Sequence, residues 1–120
     1  MDSEFWKHMQ CLVAASKIVI NRPRGSFHPR FQNISYPIEY GYLEGTKSSD
    51  GAGIDVWIGS ESADEINGCM VTVDLQKMDS EIKIVLGCTG EEILTIKNFH
   101  NSNDMKAIFI PNKENYNNDC

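Results

Sequence analysis

Two alternating runs in the middle of the chain constrain the fold most. Cys69, Val71, Val73 and Leu75 share one side of an extended segment, with Met70, Thr72 and Asp74 on the other. Ile82, Ile84 and Leu86 then alternate against Lys83 and Val85. A period of two is the pattern of a strand, whose side chains point to opposite faces in turn. Together the runs predict a hairpin with a short turn near Asp79-Ser80. Ile54, Val56 and Ile58, opposite Asp55 and Trp57, predict a further strand with both faces used. Residues 17–20, 36–43 and 107–110 also read as extended.

Helical signals are fewer. Phe5, Met9 and Leu12 fall at helical spacing within residues 3–14. Thr89-Gly90-Glu91-Glu92 has the form of a capping box, in which Thr89 and Glu92 satisfy each other's backbone N–H groups. Ile93, Ile96 and Phe99 give the helix that follows an apolar face. No βαβ rhythm and no internal repeat is present. The expected fold is mainly β: a single domain over residues 1–120, built as a small, roughly five-stranded, OB-like twisted barrel with one or two helices. The polar tail after Pro111 is expected to fray.

The formal net charge of −6 argues against general binding to nucleic acid or to anionic membranes. No run reaches the length of a membrane span. The N-terminus carries Asp2 and Glu4 instead of a basic segment, so a cytoplasmic protein without a secretory signal is expected. The four cysteines, at 11, 69, 88 and 120, include no C-x-x-C pair. They are expected to be reduced thiols, with Cys120 exposed.

Chemistry-bearing residues cluster in three places. Asp50 and Asp55 flank a Gly-rich turn, an arrangement suited to a hard cation such as Mg2+. The competing reading is a solvated turn, since Asp-Gly is among the commonest turn dipeptides. Asp74, Asp79 and Glu81 flank the hairpin that carries Lys83, and a solvated hairpin tip competes there too. Arg22, Arg24 and Arg30 fall in or beside one loop of an otherwise acidic chain, and with Lys47 and Lys83 they suit an anion, because a guanidinium fork can bond two phosphate oxygens at once. Tyr36, Tyr40 and Tyr42 can point the same way from one strand, either as packing or as donors to phosphate. Trp6 and Trp57 are expected in the core. His8, His28 and His100 are isolated in sequence and are not assigned as metal ligands.

The segment Tyr36-Pro37-Ile38-Glu39-Tyr40-Gly41-Tyr42, followed by Asp50-Gly51-Ala52-Gly53-Ile54-Asp55-Val56, resembles the signature of the soluble, Mg-dependent family I inorganic pyrophosphatases. Arg24-Gly25-Ser26, Arg30-Phe31 and Glu81-Ile82-Lys83-Ile84-Val85 are similar to further motifs of that family, in the same order. The resemblance extends over roughly residues 17–99. It implies an OB-like barrel that hydrolyses pyrophosphate with Mg2+, often as a homo-oligomer. Carried over by position, it implies Arg24, Arg30, Tyr40 and Lys83 as substrate-binding residues. It implies Asp50, Asp55, Asp79 and Glu81 as metal ligands, and Asp50, Tyr40 and Lys83 as catalytic residues. Ala52 stands where the family has a water-activating aspartate, and Asn21 where it has an early glutamate. Phe99-His100-Asn101 lies near the place of a phosphate-binding Tyr-Lys pair. The alternative implied by these departures is a module that binds pyrophosphate or a nucleotide without cleaving it. An oligonucleotide-binding barrel is a third reading, against which the acidic charge weighs.

Overall fold

The computed structural model describes residues 2–114. In chain order the elements are α1 (Asp2–Ala14), β1 (Lys17–Arg22), β2 (Glu39–Glu44), β3 (Ile54–Ile58), β4 (Ile66–Asp74), β5 (Asp79–Leu86), α2 (Gly90–Phe99) and β6 (Met105–Pro111). The mainly β expectation with two helices holds. The expected barrel of about five strands does not: the sheet has six strands, in the order β1-β2-β3-β5-β4-β6, and stays open. The physical reason is that β6 pairs with β4 from Gly68 to Asp74, on the side away from β5 and far from β1. The two faces are covered by helices instead of by closure of the sheet on itself. Only β3 and β5 run parallel, through Val56↔Ile84, Trp57↔Val85 and Ile58↔Leu86.

Local chemistry explains where the elements start and stop. Pro37 has no N–H to give a ladder, and β2 begins two residues later at Glu39. The hairpin turn lies at Leu75–Met78, so Asp79 and Ser80 are not the turn but the first residues of β5. Asp74 decides this, because its Oδ1 accepts the backbone N–H groups of Gln76 at 2.9 Å and Lys77 at 3.2 Å. Leu75 therefore leaves the strand face it was expected to share and is exposed. Gly41 is required by a close approach: a Cβ there would sit 2.0 Å from the Val19 carbonyl oxygen of β1.

One face packs on α1, through Trp6, Val13, Leu43, Val56, Ile84 and Leu86. The helix is rotated by about one residue from expectation. Trp6, Met9 and Val13 face the sheet, while Phe5 and Leu12 remain exposed. The other face packs on α2, through Ile38, Trp57, Met70, Val85, Ile96 and Ala107. The capping box of α2 forms as expected, with Thr89 N–H donating to Glu92 at 2.8 Å and Glu92 N–H to Thr89 Oγ1 at 3.1 Å. Cys69 and Cys88 are buried free thiols, which burial pushes up to about 11 and about 12 respectively. Cys11 departs from the reduced state expected of it, being disulfide-bonded; Cys120 lies outside the described residues. Among the described residues, no helix is long and apolar enough to cross a membrane.

Candidate functional site

The site grows out of the α2 face of the sheet as that face turns from apolar to polar. Along β5, Val85 belongs to the core, and the same side continues through Lys83, Glu81 and Asp79. Lys83 is 6% exposed, so its charge needs partners. It finds them on three strands. Its Nζ donates to Tyr40 Oη of β2 at 2.7 Å and to Asp55 Oδ2 of β3 at 2.9 Å, and it lies 3.8 Å from Glu81 Oε1. Tyr40 and Asp55 are held on adjacent strands, by the register Tyr40↔Trp57 and Tyr42↔Asp55. Burial, and then the Asp55 carboxylate beside it, raises the Tyr40 phenol far above its ordinary value. It remains a neutral hydroxyl throughout the physiological range.

Above this group lies a cavity of about 630 Å³. Tyr40, Glu81 and the buried Lys83 are among its lining residues. The loop 28–36, the β4–β5 turn and the chain from Asn98 to Met105 form its walls. The loop is fixed by backbone bonds from His28 to Ile34 at 2.8 Å and from Tyr36 to Ser26 at 2.9 Å. His28 Nδ1 also accepts the N–H groups of Arg30 at 3.0 Å and Phe31 at 3.2 Å. Partial burial lowers the His28 pKa, and Arg22, Lys77 and Arg30 lower it further, so three cations lie within electrostatic reach of this ring. Burial raises the Tyr36 phenol above its ordinary value, and the nearby Arg22 charge opposes that rise.

The back wall is aromatic. Tyr36 lies 5.3 Å from Tyr40 and 5.5 Å from Phe99, and its ring is within 8° of parallel to that of His28. Trp57 is fully buried behind them, as expected of a core residue, and its Nε1–H donates to His100 Nε2 at 3.0 Å. Burial, with Lys83 nearby, pushes the His100 imidazole down to about 3 and keeps it neutral.

Of the residues expected at the site, Arg30, Tyr40, Glu81 and Lys83 line the cavity, and Asp55 is bonded to Lys83. Asp79 follows on the same side of β5, where its Oδ1 is buried without a hydrogen-bond partner. Arg24 and Asp50 are engaged elsewhere. Arg24 reaches Glu92 at 3.3 Å, and Glu92 in turn caps α2 and binds Ser60 beyond the end of β3. Asp50 sits on an exposed turn, where its Oδ1 accepts the Ser48 hydroxyl and the Ala52 N–H. Those bonds, Ser48 foremost, lower its pKa. Sequence reasoning missed Lys77, His28 and Phe31 as cavity residues. The alternation of basic and aromatic residues in His28-Pro29-Arg30-Phe31 was the available signal for two of them.

Among the described residues, no three His, Cys, Asp or Glu side chains group closely enough to hold a metal ion by themselves. Mg2+ does not need such a cage, since it is commonly bound by one or two carboxylates together with substrate phosphates and water. Glu81 in the cavity, Asp55 beside it and the orphaned Asp79 oxygen fit that mode. No family model matches this chain, and no curated protein matches it.

Proposed function

We propose that this chain is a pyrophosphatase-like protein that binds pyrophosphate in the Lys83 cavity and hydrolyses it slowly with Mg2+. One observation carries the reading. Tyr40, Asp55 and Lys83, up to 43 positions apart in the chain, meet in one hydrogen-bonded group with Glu81 beside it, and Arg30 shares the cavity. These are the positions that the motif resemblance assigns to phosphate and metal.

In this reading Arg30 and Lys77 draw in the anion and offset its charge. Lys83 and Tyr40 donate to phosphoryl oxygens, and the burial of Lys83 lowers the local dielectric and strengthens such bonds. Glu81 and Asp55 would hold a Mg2+ ion that arrives with the substrate, and Asp79 would support them. Such an ion supplies charge neutralisation and a bound water of lowered pKa. The chain supplies no carboxylate at Ala52 to take a proton from that water. The loss of a positioned base costs about 10²–10⁴ in rate, which is why the turnover is slow. The cytoplasmic setting expected from the sequence stays part of this proposal.

A second reading, binding without cleavage, is favoured by Ala52, by Asn21 and by Asp50, whose carboxylate is spent on its own turn. Phosphate release from pyrophosphate, with and without Mg2+, separates the two when run beside Arg30→Ala. Mg-dependent release that falls at least tenfold in the variant supports hydrolysis at this cavity. Release at the blank level, with pyrophosphate still bound, moves the conclusion to the second reading. A protein that neither binds nor cleaves pyrophosphate refutes both.

A further inference from the structure

The cavity is larger and more aromatic than an inorganic anion requires. Pyrophosphate occupies under about 300 Å³ even if each of its atoms took the ~30 Å³ of a water molecule in the liquid. That is half or less of the 630 Å³ present. The size lies instead in the range of pockets that enclose drug-sized organic ligands, about 300–1,000 Å³.

The lining holds both cationic and aromatic residues. Lys83, Tyr40, Arg30 and Lys77 all line it, Lys83 buried and Arg30 and Lys77 exposed. His28, Phe31, Tyr36 and Phe99 supply aromatic surface in the same cavity. Phe31 is 48% exposed on a loop held by backbone bonds, with its ring 5.1 Å from that of His28. A half-exposed aromatic ring at a cavity wall offers a stacking surface whose water is released when a flat ligand covers it. His28, whose pKa burial and the surrounding cations lower, adds a second ring to the same surface. Asn98, Ser102 and Asn103 line the same space and carry neutral donors and acceptors suited to the edge of a heterocycle.

We propose that this cavity receives a flat ring together with a diphosphate group, so that its fitting ligand is a nucleoside di- or triphosphate. The phosphates lie against Arg30, Lys77 and Lys83, and the ring lies against Phe31 and His28. This rests on the phosphate-binding reading given above and extends it to the organic part of the ligand. It concerns a single nucleotide and not a strand, which the net charge of −6 disfavours.

The test is calorimetric titration of the full chain, with Mg2+, using pyrophosphate, methyl diphosphate and adenosine diphosphate. Wild type is expected to bind adenosine diphosphate about 5- to 150-fold more tightly than methyl diphosphate, the span of a single base–aromatic stack. Phe31→Ala, at an exposed position that the core does not need, should remove most of that advantage and leave methyl diphosphate binding unchanged. Equal affinity for the two esters overturns the inference while the phosphate-binding reading stands. So does an advantage that survives both Phe31→Ala and His28→Ala. Absence of binding by all three ligands overturns the inference and the reading beneath it.

Discussion

Mild acid should weaken this fold through one imidazole. His100 is 3% exposed and accepts the Trp57 Nε1–H, so its neutral form is built into the core. Its folded-state pKa is pushed from 6.5 down to about 3. The folded chain therefore binds fewer protons than the unfolded chain between those two values. Stability is fully present above pH 6.5 and is lost as the pH falls toward about 3. From pH 8 to pH 5 the titration crosses about 1.5 units below the unfolded pKa, which at ~1.4 kcal/mol per unit amounts to about 2 kcal/mol. Urea unfolding reads this as a midpoint shift of about 1 M, for a slope of 1–3 kcal/mol/M. The control is His100→Gln, which offers Trp57 an amide oxygen and has no proton to gain. His28 and the carboxylates are common to both proteins and cancel in the comparison. The wild type should lose about 2 kcal/mol more than the variant over this pH interval. Losses equal to within about 0.5 kcal/mol would refute the assignment of a buried neutral His100.

Three further outcomes follow from the packing. Asp55→Asn removes the nearest carboxylate from buried Lys83; because the Asp55 side chain is 27% exposed and Glu81 remains close, the cost should be about 1–3 kcal/mol. Urea denaturation of Lys83→Met, Asp55→Asn and the double variant should give a coupling above about 0.5 kcal/mol, and additive effects would contradict the geometry. Gly41→Ala places a methyl against the Val19 carbonyl and should cost at least about 3 kcal/mol or prevent folding, seen as loss of a cooperative thermal transition. Glu92→Ala breaks the capping box and the bonds to Ser60, and should cost about 1–2 kcal/mol by the same urea assay.

What the sequence made legible depended on how local the cause was. The bounds of β3 were readable because Ile54 to Ile58 alternate with both faces apolar enough to be buried. The start of α2 was readable because Thr89 and Glu92 satisfy each other within one turn. The buried face of α1 was not, since Phe5, Trp6, Met9, Leu12 and Val13 are all apolar and periodicity alone cannot choose among adjacent stripes. The hairpin turn was misplaced because Asp79-Ser80 has turn composition, while Asp74 holds the real turn through its side chain. The open, six-stranded order was beyond reach: the pairing of β4 with β6 joins segments more than thirty residues apart and leaves no local mark. At the candidate site, motif order pointed to Tyr40, Asp55, Glu81 and Lys83, and folding brings these together. Lys77 carried no such signal, because its place in the cavity depends on where the β4–β5 hairpin tip lies, and Phe31 was marked only by its place beside Arg30.

The central claim is that a phosphate ligand binds over Lys83, and titration of pyrophosphate into wild type, Arg30→Ala and Lys77→Ala tests it most directly. Both substitutions are at exposed positions and leave the core intact. The account predicts saturable binding to wild type and a loss of about 10- to 100-fold in Arg30→Ala, the worth of a charge-assisted hydrogen bond of ~1.5–3 kcal/mol. Lys77→Ala should show a smaller loss in the same direction. No binding to wild type, or an affinity that neither substitution changes, would contradict it.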